Sequence, residues 1–91
     1  MQEKRFVIGS VEVHFWINGS ICECINNVEL KKDGRIINIK EITGAYLGTQ
    51  PDELYTLAAE QKGSLLVSTF RGITFLIDIE NLAVVKKNIC K

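Results

Sequence analysis

The sequence predicts a mainly β fold: two four-stranded antiparallel meander sheets packed on one core. Three observations carry that prediction. Apolar and polar residues alternate along several short runs, which is the period of a half-buried strand. Turn residues punctuate the runs: Asn18-Gly19 and Asp33-Gly34 in the first half, Lys62-Gly63 and Arg71-Gly72 in the second. The order of runs and turns then repeats at an offset of 44, which places Gly19-Ser20 over Gly63-Ser64.

The first half reads as strands over 11–17, 21–26, 28–33 and 35–41. The second reads as strands over 55–61, 65–70, 73–78 and 82–88. Residues 6–9 add a short edge strand, and 42–51 connect the halves. An offset of 44 falls within the 40–45 residues of a propeller blade. The chain, 1–91, is therefore one domain of two blade-like repeats, 11–41 and 55–89, amounting to half of a β-propeller.

Register assigns the faces. A two-residue turn at Asn18-Gly19 pairs Phe15 with Cys22, Val13 with Cys24 and His14 with Glu23. A three-residue turn at 25–27 and a two-residue turn at Asp33-Gly34 then pair Leu30 with Ile37 and Val28 with Ile39. One face collects Val11, Val13, Phe15, Ile17, Cys22, Cys24, Val28, Leu30, Ile37 and Ile39. The other collects Glu12, His14, Trp16, Ile21, Glu23, Glu29, Lys31, Ile36, Asn38 and Lys40. In the second half Tyr55, Leu57, Ala59, Leu66, Phe70, Ile73, Phe75 and Ile77 share the core face with Leu82 and Val84. Leu65, Val67 and Leu76 form an outward patch. Neither sheet can bury its apolar face alone, so the two pack together at roughly 10 Å.

One segment has an alternative. Residues 51–62 carry helix signals: Pro51 at the start, Asp52 and Glu53 in the first turn, and Gly63 after Lys62. If that helix forms, the fold is α+β.

Composition excludes several function classes. Eleven basic side chains balance eleven acidic ones, which argues against a general nucleic-acid binder. The 46% hydrophobic content and single proline exclude a disordered or collagen-like chain. One histidine argues against a histidine-rich metal site, and Cys22, Cys24 and Cys90 form no Cys-x-x-Cys pair. The cysteines read as reduced, packed side chains, and no metal or cofactor is expected. No apolar stretch reaches the roughly 20 residues of a membrane span, and no signal peptide is evident, so a cytoplasmic protein without a membrane partner is expected.

No catalytic constellation emerges. His14 and Glu23 make a cross-strand pair with no nucleophile beside them, so an enzyme is not expected. Two features point to a protein partner instead. Trp16 lies among Ile21 and Ile36 inside a charged rim, the composition of an interface centre, unless another segment covers it. Between Lys40 and Lys62 the carboxylates Glu41, Asp52, Glu53 and Glu60 occur without a basic residue, with Tyr46 and Tyr55 among them. Such a stretch fits docking on a basic protein, or is an ordinary solvated linker. The candidate partner-binding residues are Glu41, Tyr46, Asp52, Glu53, Tyr55 and Trp16.

With its size, repeats 11–41 and 55–89 and acidic aromatic segment, the chain resembles small bacterial immunity proteins of contact-dependent growth inhibition systems. The resemblance implies a non-enzymatic inhibitor that binds a cognate protein toxin, often a basic nuclease, and blocks its active site. A self-associating β module without a toxin partner is the alternative, with two copies covering an open blade face.

Overall fold

Eight strands form two antiparallel meanders, each in sequence order. The first sheet is β1 (Gln2–Ile8), β2 (Val11–Ile17), β3 (Val28–Lys32) and β4 (Arg35–Asn38). The second is β5 (Tyr55–Gln61), β6 (Ser64–Thr69), β7 (Ile73–Asp78) and β8 (Ala83–Ile89). Between them lie one helical turn, α1 (Lys40–Thr43), and a 3₁₀ turn, Gly44–Tyr46. This computed structural model describes residues 2–17, 25–49 and 52–89.

The predicted fold class is therefore observed, with the first sheet built differently. It begins at Gln2 rather than Val11, and β1 is a full strand rather than a short edge at 6–9. Gly9-Ser10 makes the hairpin, with Gly9 at φ 58, where a side chain is disfavoured. Both edges of β2 are then occupied, one by β1 and one by β3. The expected pairing of Val13 with Cys24 and Phe15 with Cys22 gives way to Val13 opposite Leu30 and Phe15 opposite Val28. The turn at Asn18-Gly19 and the strand at 21–26 fall largely on 18–24, outside the described residues. The first hairpin's counterpart in the second sheet is Lys62-Gly63, so the offset of 44 does not relate the first two strands of each half.

The faces of the first sheet are nevertheless as predicted. Alternation within a strand sets them, whichever strand lies alongside. Val11, Val13, Phe15, Val28, Leu30, Ile37 and Ile39 all point into the core and are buried. Leu30 faces Ile37 across β3 and β4, as expected. The last strand stops at Asn38, short of the predicted Glu41. There Asn38 Oδ1 accepts a hydrogen bond from Lys40 N, and Glu41 Oε2 accepts one from Asn38 N, both at 2.9 Å. These local bonds turn the chain into α1 and bury Ile42 against the core.

The second sheet has strands close to the predicted bounds. The segment with helix signals is strand from Tyr55, because burying Tyr55 and Ala58 outweighs local propensity. A bulge between Tyr55 and Leu57 shifts the alternation by one residue. Ala58 therefore points inward, while Leu57 and Ala59 point out. The inward set on β6 is Leu65, Val67 and Thr69, so Leu65 and Val67 are core residues rather than an outward patch. Leu65 pairs with Ile77 and Val67 with Phe75. Leu66 faces outward opposite Leu76, and Phe70, expected in the core, sits in the following turn and is 74% exposed. Leu82 and Val84 pack on the core as predicted. Each fully buried large side chain, such as Phe75 or Leu65, contributes about 1.5–3 kcal/mol.

The sheets share one core and are also hydrogen-bonded to each other. Segment 25–27 runs beside 53–55: Ile25 bridges Leu54, and Asn26 N donates to Glu53 O at 2.7 Å. On the other side of 53–55, Phe70 N donates to Leu54 O at 2.8 Å. Lys4 Nζ donates to Ala58 O at 2.9 Å, and Lys32 Nζ to Glu80 O at 2.6 Å.

Candidate functional site

The six residues singled out by the sequence separate into three groups. Tyr55 is fully buried. Its hydroxyl lies 2.5 Å from Thr43 Oγ1, which gives its own proton to Ile39 O at 3.1 Å, so Tyr55 is the donor. Burial pushes the phenol up to about 12. Glu53 is also buried, with Arg71 Nε donating to its two oxygens at 2.7 and 3.0 Å. Neither residue can anchor a partner; both hold the second sheet together.

Asp52, Glu41 and Tyr46 remain exposed but engaged. Lys40 Nζ lies 2.6 Å from Asp52 Oδ1, and Asn26 Nδ2 donates to the same oxygen at 3.0 Å. These contacts, the lysine first, hold the Asp52 carboxyl below its ordinary range. Glu41 is bound to the Asn38 amide. The Tyr46 ring meets Phe75 edge-on at 6.3 Å, and its carbonyl accepts from Lys87 Nζ at 2.6 Å. The sequence showed carboxylates without bases nearby in the chain. Folding brings Lys40 to Asp52 and Arg71 to Glu53, so two of the four carboxylates gain a basic partner.

Trp16 belongs to a different surface, the outer face of the first sheet. Cross-strand register lays out two rows there. One runs Arg5, His14, Glu29, Asn38; the other runs Val7, Glu12, Lys31, Ile36. Glu3 and Trp16 begin a third row. All the predicted outward residues among 12–16 and 29–38 are found on this face.

The centre of the face is aromatic. The His14 and Trp16 rings lie 4.9 Å apart between centroids, tilted by 39°. His14 Nε2 approaches Glu3 Oε2 at 3.3 Å, and Arg5 Nε approaches Glu3 Oε1 at 3.3 Å. Nε2 is shielded from solvent and faces Glu3 Oε2 without a hydrogen bond of good angle. His14 and then Arg5 hold the Glu3 carboxyl below its ordinary range. Beside this cluster a depression of about 230 Å³ is lined by Arg5, Val7, Glu12, His14, Glu29, Lys31 and Ile36. Val7 is 59% and Ile36 65% exposed at its edge. Glu12, Glu29 and Lys31 make no ion pair among the described residues.

Glu3, Arg5 and Val7 were missed in the sequence because β1 was read as a short edge. The signal was present: Phe6 and Ile8 alternate with Arg5 and Val7 just before Gly9-Ser10. The expected partner of His14, Glu23, lies outside the described residues, and His14 sits between Arg5 and Glu29.

Among the described residues no group of three or more His, Cys, Asp or Glu side chains is placed to hold a metal. Among them, too, no helix is long and apolar enough to cross a membrane. No family model, curated protein or solved structure matches this chain.

Proposed function

We propose that the chain is a small inhibitor of the immunity type, which binds one protein toxin and covers that toxin's substrate cleft. The outer face of the first sheet is the docking surface. The observation that carries this reading is the Trp16–His14 ring pair beside a depression edged by exposed Val7 and Ile36 and by Glu12, Glu29 and Lys31, charges with no ion pair among the described residues. An aromatic and aliphatic centre inside a polar rim is how protein interfaces are composed. Unpaired rim charges steer encounter and select partners. The face lies on four paired strands, so its groups are held in place before binding and little ordering cost is met on association.

The docking surface differs from the acidic segment first indicated by the sequence. Of that set, Trp16 is the one that strand register places on this face. The reading is tested by neutralisation at one-to-one stoichiometry. Trp16→Ala and Ile36→Asp are expected to weaken neutralisation while the protein stays folded. Charge reversal at Glu60, on the other sheet, is expected to leave it unchanged.

A further inference from the structure

His14 is the chain's one histidine and Trp16 its one tryptophan. Their rings stand together on the outer face of the first sheet, 4.9 Å apart between centroids. His14 Nε2 also lies 3.3 Å from Glu3 Oε2, shielded from solvent and without a hydrogen bond of good angle. Glu3 is shared, since Arg5 Nε approaches its other oxygen at 3.3 Å. Imidazole is the side chain that ordinarily gains charge between about pH 8 and about pH 5. A ring set between an indole and a carboxylate therefore changes both contacts when it takes up a proton.

We infer that His14 works as a proton-operated clasp, which ties Glu3 of β1 to the aromatic centre of this face when the ring is protonated and releases it when the ring is neutral. Both nitrogens of an imidazolium are donors, so Nε2 then carries a proton toward Oε2. A charge-assisted bond of that kind closes to about 2.7–2.9 Å. The same positive ring is attracted to the indole beside it. The one proton comes from solvent and returns to it, and Arg5 keeps its hold on Glu3 in either state.

The charges around the ring select Glu3. Among the described residues Arg5 stands opposite His14 on β1 and Glu3 lies diagonally beyond it, opposite Trp16. Glu29 stands opposite His14 on β3, Lys31 is the next outward residue there, and Glu12 precedes His14 on β2. β4 brings Asn38 and Ile36, both uncharged. Among these groups it is Glu3 whose carboxylate reaches Nε2. Trp16 belongs to the face proposed for docking, so docking becomes pH-dependent through the same clasp. That consequence rests on the docking reading, whereas the clasp is a property of the free chain and is measured on it.

Intrinsic fluorescence of the purified chain from about pH 8 to about pH 5 tests it, because an imidazolium quenches an indole beside it and a neutral imidazole does not. Trp16 emission falls in a single one-proton step, and His14→Gln removes that step. The ring C–H resonances of the one histidine, followed by NMR, move with the same midpoint. Glu3→Gln, at an exposed position, shifts the midpoint to lower pH by removing the negative charge that favours the imidazolium. Glu60→Gln, on the other sheet, leaves it in place. The histidine resonances keep the test intact if His14→Gln fails to fold. Emission that stays flat across the range, a step that survives in His14→Gln, or a midpoint indifferent to Glu3→Gln overturns the inference. Neutralisation indifferent to Trp16→Ala would count against docking and leave these titrations unchanged, so the two readings fail separately.

Discussion

The side-chain amide of Asn27 pairs with the backbone of Tyr55 as a neighbouring strand would. Its Nδ2 donates to Tyr55 O at 2.8 Å, and its Oδ1 accepts from Tyr55 N at 2.8 Å. Nδ2 also donates to Trp16 O at 2.7 Å, and the whole residue is excluded from solvent. One side chain thus ties β2, the entry to β3 and the start of β5 together.

Asn27→Ala removes these bonds and leaves the buried backbone N–H and C=O of Tyr55 without the partner that Asn27 supplies. Each such group costs about 1–3 kcal/mol, so a loss of at least about 2 kcal/mol is expected. Asn27→Asp is expected to be as harmful, because a carboxylate cannot donate to the Trp16 and Tyr55 carbonyls. Urea denaturation followed by circular dichroism measures both.

Arg71→Ala uncovers the role of Glu53. The carboxylate stays buried while its counter-charge is removed. Arg71 is half exposed, so the loss of stability is expected to be smaller than that of breaking a wholly buried pair. Glu53→Lys is expected to unfold the protein, which separates a structural carboxylate from a docking one. Thermal melts read both outcomes.

Alkaline titration tests the burial of Tyr55. Its phenol titrates near 10 when unfolded and is pushed up to about 12 in the fold. The neutral form is favoured by folding, so this contribution is intact below pH 10. It is lost as pH rises from about 10 through about 12, at up to about 1.4 kcal/mol per pH unit. Tyr55→Phe should cost about 1 kcal/mol at neutral pH, since Thr43 keeps its bond to Ile39 O. Its stability should fall less steeply than that of the wild type above pH 10. Denaturation midpoints of the two proteins across that range provide the comparison.

The Lys62-Gly63 turn is open to improvement. Lys62 adopts φ 50 and Gly63 φ 81, so both central residues of the hairpin are left-handed. Asn tolerates that conformation better than Lys. Lys62→Asn should stabilise by roughly 0.5 kcal/mol and raise the melting temperature by a few degrees, within the range of such turn changes.

Much of the fold was legible because alternation and turn chemistry act locally. Asp33-Gly34 fixed the register of Leu30 on Ile37. Three features resisted for physical reasons. β1 begins with Gln2, Glu3, Lys4 and Arg5, all exposed at a sheet edge, so it carries little apolar signal. The bulge after Tyr55 reverses inside and outside without any mark in the composition. Asn27 looked like a turn residue, and only tertiary structure supplies the Tyr55 backbone that its amide reads. The candidate site was legible in part. Trp16, His14 and Ile36 fell on the right face, but Glu53 and Tyr55 acquire partners, Arg71 and Thr43, that are distant in sequence.

The central claim is that the outer face of the first sheet docks and inhibits a toxin. Its most direct measurement places a photo-crosslinking residue at Ile36 and, separately, at Leu57, recovers the protein joined to each, and assays the purified Ile36 adduct partner for toxic activity. The account predicts that Ile36 captures a toxin, that one equivalent of the chain abolishes its activity, and that Trp16→Ala restores most of it. Inhibition that survives Trp16→Ala and Ile36→Asp together, or a toxin joined at Leu57 and not at Ile36, would contradict the account.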